Sequence, residues 1–183
     1  MQMSTFSDLG TLLSYPTTNY VGELNSLKLN LENSISPDDF QRLEEFISVV
    51  SKEELGRLEE MYTATFDIHG LCCLDVGYVL FGEDYKRGEF LVGINRVQRE
   101  NNVDLGSELG DYLPNMLKLM GVIEEGEISK ELINKILIPA IEQMNSKFSH
   151  SSDNPFNLVM KIINNKVKEY KSIENGTTGV YPC

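Results

Sequence analysis

The chain has 183 residues, of which 41% are hydrophobic and 24% are charged, proportions that are usual for a soluble globular domain. Its 28 acidic residues outnumber its 16 basic residues, and the formal net charge is -12. A surface of this sign repels phosphate backbones and anionic lipid headgroups, which argues against binding to nucleic acid or to a membrane surface. It would instead attract basic polypeptide segments and speed their capture, although a role of the charge in solubility alone remains an alternative.

No apolar stretch approaches the roughly 20 residues that a membrane-spanning helix requires, so no integral membrane segment is predicted. The first eight residues lack the basic and apolar stretches of a secretory signal. Three cysteines do not form the pairs that are typical of a disulfide framework. We therefore predict a cytoplasmic protein, present as a monomer or a dimer, with no nucleic-acid partner.

The first half of the chain shows apolar residues at helical spacing in four segments. One stripe stops at Pro16, and a second covers residues 20–27. Residues 36–39, Ser-Pro-Asp-Asp, predict a helix start, because serine caps free amides, proline suits the first turn and acids interact favourably with the helix dipole. Residues 51–54 predict a capping box for the next helix, whose apolar residues continue through 55–66.

Helical spacing continues through the second half of the chain. Gly82 and Gly121 are expected to end helices, and Ser129 is expected to cap one. Pro139 lies inside a long apolar pattern and should kink or split that helix. The apolar patterns predict helices over residues 71–81, 90–97, 113–120, 129–148 and 156–170.

No segment shows a persuasive alternating strand pattern, and no internal repeat is present. We therefore predict an all-α fold, a single irregular helical domain of about eight helices that covers residues 1–172. The connections are too irregular for a simple up-down bundle. Residues 173–183 lack periodicity and are predicted to form a flexible C-terminal tail.

Side chains suited to catalysis are scarce. The chain has only two histidines, His69 and His150, which leaves little for acid-base chemistry at neutral pH. It also lacks a phosphate-binding glycine loop, a Gly-x-Ser-x-Gly elbow and a His-Glu-x-x-His motif. We predict that the protein is not an enzyme, and we assign it no cofactor.

One group of residues has the spacing of a possible metal or thiol site. His69, Cys72 and Cys73 are spaced i, i+3 and i+4, so on a helix they would share a face, and Asp67 or Asp75 would add an oxygen ligand. Adjacent cysteines rarely bind the same ion, however, and free cysteine also behaves as a small core hydrophobe. A zinc- or thiol-based regulator remains an alternative, as does a general helical adaptor.

Two segments stand out from this helical background. Residues 62–67, Tyr-Thr-Ala-Thr-Phe-Asp, end one helix with aromatic and acidic side chains. Residues 108–114, Glu-Leu-Gly-Asp-Tyr-Leu-Pro, open another helix with acids, an aromatic residue and a proline. Neither segment is needed for helix stability, and neither resembles a catalytic set, so together they indicate a surface that holds another polypeptide. Simpler roles remain open, because Tyr62 and Phe66 share a core-like stripe and Asp111 could cap a helix.

These segments resemble the assembly chaperones of molybdenum-cofactor oxidoreductases, the family that includes NarJ, TorD and DmsD. The family pattern at residues 108–114 is Glu-x-Pro-Asp-His-Leu-Pro, and this chain has Gly110 and Tyr112 where the proline and the histidine are expected. The resemblance extends over about residues 9–165 through the segments 12–16, 62–67, 81–88, 108–114, 137–140 and 154–156.

The resemblance implies an all-helical, non-enzymatic chaperone. It would bind the apo form of a large molybdopterin-containing catalytic subunit, such as that of nitrate reductase, together with its N-terminal twin-arginine leader or leader-like segment. Such binding would hold the subunit open for cofactor insertion before export or membrane docking. The residues predicted to form this client-binding site are Tyr62, Phe66, Asp67, Arg87, Glu108, Asp111, Tyr112, Leu113, Pro114 and Met116.

Different members of this set have different expected roles. Asp67 and Asp111 would contact the positive charges of a basic, amphipathic leader. The aromatic residues, with Leu113 and Met116, would form an apolar bed for its other face. Arg87 would pair with one of the acids and hold the walls of the groove together.

Overall fold

A computed structural model describes residues 4–67 and 70–176, with side chains described as far as residue 170. Over this range the chain is mainly helical and has no strand, apart from one isolated antiparallel bridge between Asp75 and Tyr112. The helices are α1 (Ser4–Leu12), α2 (Tyr20–Leu31), α3 (Pro37–Val50), α4 (Leu55–Phe66), α5 (Val76–Phe81), α6 (Tyr85–Glu100), α7 (Leu113–Val122), α8 (Glu127–Glu131), α9 (Ile138–Lys147) and α10 (Phe156–Gly176). The predicted all-α domain of about eight helices is confirmed.

The start of α3 forms as the sequence predicts, whereas the start of α4 does not. The Ser36 hydroxyl accepts a hydrogen bond from the Asp39 backbone N–H at 3.1 Å, and Pro37 occupies the first turn. The predicted capping box at residues 51–54 is wrong. Ser51 is the C-cap of α3, because its N–H still bonds to a carbonyl of that helix, and Glu54 is the N-cap of α4 without a side-chain hydrogen bond.

The core is organised around α7, in which seven of the ten residues are buried. Helix α1 packs directly on α7. A Cβ atom at Gly121 would lie 2.0 Å from the Ser7 hydroxyl oxygen, and one at Gly10 would lie 2.9 Å from the Pro114 carbonyl oxygen. Gly121 lies inside α7, which continues to Val122, so it does not end the helix as predicted. Its missing side chain instead allows the two helices to approach closely.

The helix that is predicted to kink or split at Pro139 is not split there, but its hydrogen-bonding pattern changes just before the proline. Residues Leu132–Leu137 form a π-helical segment between α8 and α9, so the stretch 127–147 is continuous but not uniform. Pro139 lies just after the π-helical segment, inside this continuous stretch, so one backbone N–H donor is missing there. Ser129 lies within α8 and not at its N-cap as predicted, although its hydroxyl does accept the Gly126 N–H at 2.8 Å.

The helix predicted over residues 71–81 is shorter in the structure. Helix α5 begins only at Val76, because Leu113 N–H bonds to the Leu74 carbonyl and holds the preceding residues extended. It ends at Gly82 as predicted, with φ at 62°, a conformation that favours glycine. Such an extended entry places Asp75 beside the start of α7.

Helix α10 carries its buried face along α3 and α9. The helix continues past residue 172 to Gly176, and the remainder of the predicted tail, residues 177–183, lies outside the described residues. None of the helices in the described part of the chain is long and apolar enough to cross a lipid bilayer.

Candidate functional site

Three of the segments that carry the resemblance, residues 12–16, 62–67 and 108–114, meet at a cluster of tyrosine side chains. The Tyr62 hydroxyl donates a hydrogen bond to the Leu13 carbonyl oxygen at 2.8 Å and also contacts the Tyr112 hydroxyl. The Tyr15 ring packs edge-on against the Tyr62 ring, with 5.3 Å between centroids. These contacts join α4 to the segment after α1 and to the start of α7. We call the group the tyrosine cluster, which comprises Tyr15, Tyr20, Tyr62 and Tyr112.

The tyrosine cluster passes from the core to the surface. Tyr20 is buried and donates a hydrogen bond to the Leu12 carbonyl at 2.8 Å, whereas Tyr112 is half-buried and Tyr15 is 51% exposed. The pKa of Tyr112 is raised to about 12, mainly by burial, while its hydrogen bond with Tyr62 lowers it and the negative charge of Glu108 adds to the rise. Burial also raises the pKa values of the deeper members of the cluster. The hydroxyls of Tyr20, Tyr62 and Tyr112 are therefore protonated at neutral pH and suited to hydrogen bonding, not to general-base chemistry.

A second group, which we call the arginine junction, comprises Arg87, Asp75 and Asp111. Arg87 Nε lies 2.9 Å from Asp111 Oδ2, and Arg87 Nη2 lies 2.9 Å from Asp75 Oδ2. The guanidinium also lies over the Tyr78 ring, 5.5 Å from its centroid. The predicted pairing of Arg87 with one of the acids is confirmed, since Asp111 is its partner.

Burial and the neighbouring charges shift the pKa values of Asp75 and Arg87 in the arginine junction. Burial raises the pKa of Asp75, and the nearby Asp111 carboxylate raises it further, while Arg87 opposes both effects. Burial lowers the pKa of Arg87, but its hydrogen bond to Asp111 and the two negative charges raise it overall. The junction therefore contains a permanent cation between two acids.

Backbone contacts fix Asp111 in this position. Val76 N–H bonds to the Asp111 carbonyl at 2.8 Å, which ties the start of α5 to the segment before α7. A Cβ atom at Gly77 would lie 2.7 Å from Asp111 Oδ2, so only glycine leaves room for the carboxylate. The sequence predicts neither Asp75 nor Gly77 for this site. Asp75 belongs to it because it pairs with Arg87 of α6, and Gly77 because it leaves space for the Asp111 carboxylate, and neither contact is visible in the sequence.

The predicted apolar bed is only partly correct. Leu113 and Met116 have no exposed surface, and Pro114 is also buried, so these residues support the site from within the core and do not line it. Phe66 is nearly buried against Phe156, with 4.9 Å between ring centroids. The prediction fails here because α7 is apolar nearly all round, which is the pattern of a central helix and not of one groove wall.

The predicted acids also divide into two classes. Asp111 is 0% exposed, so it cannot contact a bound peptide directly as predicted. Glu108 is exposed, beside the half-exposed Leu109. Asp67 is the exposed C-cap of α4, where it lines a shallow hollow with Glu59. Of these acids, only Glu108 and Asp67 are exposed.

The predicted metal or thiol site does not form on a helix. His69 lies outside the described residues, and the chain around Cys72 and Cys73 is non-helical. Burial raises the pKa of Cys72 to about 12 and also raises that of Cys73, so both thiols are protonated at neutral pH. In the part of the chain that the structure describes, no three His, Cys, Asp or Glu side chains are placed to hold a metal ion.

Comparison with known proteins identifies neither a family nor an activity for this chain. The chain matches no known protein-family model, and no curated protein sequence is significantly similar to it. A proposal about its function therefore depends on the segments quoted above and on the geometry of the tyrosine cluster and the arginine junction.

Proposed function

We propose that the protein is a cytoplasmic chaperone for a molybdopterin oxidoreductase such as nitrate reductase. It binds the apo catalytic subunit and its leader-like N-terminal segment, and it supports cofactor insertion before export or membrane docking. One observation carries this proposal: segments that resemble the chaperone family, though distant in sequence, are joined in space. Tyr62 contacts Leu13 and Tyr112, which lie 49 and 50 residues away, and Arg87 pairs with Asp111, 24 residues away.

The exposed side of the tyrosine cluster has the chemistry that a basic leader requires. Tyr15 and Leu109 are 51% and 52% exposed and offer apolar surface, while Glu108 is an exposed acid. Aromatic rings attract Arg and Lys side chains, and carboxylates form strong hydrogen bonds with guanidinium groups. The net charge of -12 favours approach of such a segment.

The arginine junction gives this surface a rigid support. Arg87 connects α6 to Asp111, and Asp111 lies directly before Tyr112 in the chain. The junction therefore fixes the segment that presents Glu108 and Tyr112. In this proposal Asp111 and Arg87 position the site, whereas Tyr15, Tyr112 and Glu108 contact the client.

The test is affinity capture of the tagged protein from cells of its source in which a molybdopterin oxidoreductase is expressed. The variant Tyr15→Ser/Glu108→Gln removes an exposed ring and an exposed charge at the proposed site. Tyr85→Ser/Glu83→Gln is the matched control, because Tyr85 is 72% exposed and Glu83 is also exposed, on the turn before α6. We expect the native protein and the control to enrich a large molybdopterin-type subunit and the site variant to lose about tenfold, equivalent to about 1.4 kcal/mol of binding free energy.

Two outcomes would count against the proposal. The chaperone function would be contradicted if the native protein did not enrich such a subunit from cells in which the subunit is shown to be expressed. Equal capture by the site variant and the control would place the client contact elsewhere on the molecule. Far-UV circular dichroism of both variants checks that the helical fold is retained.

A further inference from the structure

A separate concave surface lies between α6 and the stretch formed by α8 and the π-helical segment. We call it the α6–π groove. Its volume is about 360 Å³, which falls in the lower part of the range of about 300–1,000 Å³ that small-molecule sites occupy. Its lining is mainly apolar, and it shares no residue with the tyrosine cluster or the arginine junction. The apolar residues that line it include Phe90, Ile94, Val97, Ile128, Leu132 and Ile136.

The space in the groove remains open because few side chains of α6 fill it. On α6 only Ile94 and Gln98 are buried, although the helix has 16 residues. Gly93 contributes no side chain to the groove wall, and a Cβ atom added there would meet nothing within 4 Å. The opposite wall includes part of the π-helical segment, a conformation that is rare and frequently found at functional sites.

Two cations and one acid line the groove: Arg96 on α6, and Lys135 and Glu131 on the opposite wall. Arg96 lines the groove on α6 and has no ion pair with any described residue. Lys135 lines it on the other wall and bridges Glu131 at 2.5 Å within its own helix. Because Glu131 offsets Lys135, the lining has a net positive charge that comes from Arg96. In a protein with a net charge of -12, an apolar groove with such a cation favours an anionic ligand.

We propose that the α6–π groove binds a small amphiphilic anion, namely an apolar chain that ends in one carboxylate. The apolar chain would occupy the floor, and the carboxylate would pair with Arg96, the cation of the lining that has no ion pair with a described residue. The volume favours a small molecule over a peptide helix, whose diameter of about 10–12 Å would leave most of it outside the groove. This ligand site is independent of the proposed chaperone function.

The first experiment is calorimetric titration of the full chain with dodecanoate below its micelle concentration. Dodecyltrimethylammonium, which has a tail of the same length and the opposite charge, is the matched ligand. We expect saturable binding of one dodecanoate per chain and at least about tenfold weaker binding of the cation. Non-specific attraction to an acidic protein would give the reverse order, because the net charge of -12 favours cations.

Two glycines on α6 offer a matched pair of variants. Gly93 lines the groove and Gly88 does not, yet a Cβ atom at either position would meet nothing within 4 Å. Leucine also favours helix more than glycine does, so both substitutions should be tolerated by the fold. We expect Gly93→Leu to weaken dodecanoate binding at least about tenfold by filling the groove, and Gly88→Leu to leave it unchanged. Arg96→Gln should weaken it by a similar factor, because it removes a charged hydrogen-bond donor.

Several results would overturn this proposal. These are the absence of saturable dodecanoate binding, equal or tighter binding of dodecyltrimethylammonium, and unchanged affinity in Gly93→Leu or in Arg96→Gln. Sedimentation would reveal a further alternative, a native dimer that Gly93→Leu dissociates, in which case a second copy of the chain covers the groove. If an acidic amphipathic peptide binds tightly and dodecanoate does not, the ligand of the groove is a polypeptide and not a small anion.

Discussion

The Asp111 carboxylate is fully buried, and its two oxygens have different surroundings. Oδ2 accepts a hydrogen bond from Arg87, whereas Oδ1 has no hydrogen-bond partner among the described residues. A buried carboxylate is costly unless it is paired, so the guanidinium offsets most of its loss of hydration. Because Arg87 also bonds Asp75, one side chain keeps the segments before α5 and α7 together.

We predict that Asp111→Asn lowers the free energy of unfolding by about 2 kcal/mol, since it weakens a charge-assisted hydrogen bond to a largely buried partner. Asp153→Asn is the control, because Asp153 is exposed and should change stability by less than about 0.5 kcal/mol. Urea unfolding followed by circular dichroism measures both values. Equal stability of Asp111→Asn and the native protein would show that the arginine junction does not hold the fold together.

Gly110 lies where the pattern of the chaperone family that the chain resembles has proline, and its surroundings leave no room for a larger residue. A Cβ atom there would lie 2.1 Å from Asn95 Oδ1 and 2.5 Å from Gln98 Oε1, both on α6. Gln98 Nε2 also donates a hydrogen bond to the Gly110 carbonyl at 2.8 Å. Two side-chain amides of α6 thus occupy the space that any larger residue would need, so the loop is held by α6 and not by a proline ring.

The tyrosine cluster should make the protein sensitive to alkali. Tyr112 has its pKa raised from 10.0 to about 12 in the folded state, so the folded protein retains a proton that the unfolded chain releases. Stability is therefore unchanged below about pH 10 and falls as the pH rises from about 10 to 12, by at most about 1.4 kcal/mol per pH unit for each such tyrosine.

We predict that Tyr112→Phe has a smaller loss of stability between about pH 10 and 11 than the native protein, because one of these titrating hydroxyls is removed. Urea midpoints at pH 9, 10 and 11 provide the measurement. Tyr85→Phe is the control, since Tyr85 is 72% exposed, and it should follow the native profile. Parallel profiles for the native protein and Tyr112→Phe would contradict the raised pKa.

At the scale of elements, the contact between α1 and α7 depends on two glycines. Gly10 on α1 faces the Pro114 carbonyl, and Gly121 on α7 faces Ser7, so each helix offers a position without a side chain to the other. Such positions let backbones approach more closely than ordinary side chains permit. This close approach covers one face of α7 and completes its burial.

We predict that Gly10→Ala destabilises the protein by about 1–2 kcal/mol, although alanine favours helix. The added methyl group would lie 2.9 Å from a backbone oxygen of α7, and the cost of overpacking, about 1–3 kcal/mol, exceeds the gain in helix propensity of up to about 1 kcal/mol. Gly88→Ala is the control, because open space surrounds that position on α6, and it should stabilise by about 0.5–1 kcal/mol. Equal urea midpoints for the two variants would refute the role of Gly10 in packing.

The helical stretch over residues 127–147, with its π-helical segment, follows only in part from the local sequence. Pro139 predicts a break because it lacks an N–H and restricts the preceding turn. It does not predict that the residues before it become π-helical over Leu132–Leu137. That choice depends on how the buried side chains of this stretch fit against α10 and α5, which the sequence alone does not reveal.

For the whole molecule, one buried cluster of apolar residues extends from Phe6 to Tyr170 and includes residues from every long helix. The surface around it is strongly acidic, with a net charge of -12. The exposed part of the tyrosine cluster lies near the exposed acid Glu108, whereas the lining of the α6–π groove has two cations, Arg96 and Lys135, and one acid, Glu131. The two surfaces are therefore suited to ligands of opposite charge.

The sequence by itself determined the all-α class, the order of most helices, the acidic surface and the end of α5 at Gly82. These features follow from local rules, since helical periodicity, caps and composition depend on residues that are near one another in the chain. The apolar composition of α7, whose ten residues include only one charged residue, Lys118, was also a local signal that this helix lies in the core.

Only the tertiary structure decided which of these residues act together. The contact between Tyr62 and Tyr112, the pairing of Arg87 with Asp75 and Asp111, and the open space beside Gly93 each depend on how separate helices pack. Apolar periodicity indicates that a helix has a buried face, but not which partner covers that face or whether space remains between them. For this reason the sequence placed Leu113 and Met116 at the surface of a binding site, whereas packing of α1 against α7 buries both in the core.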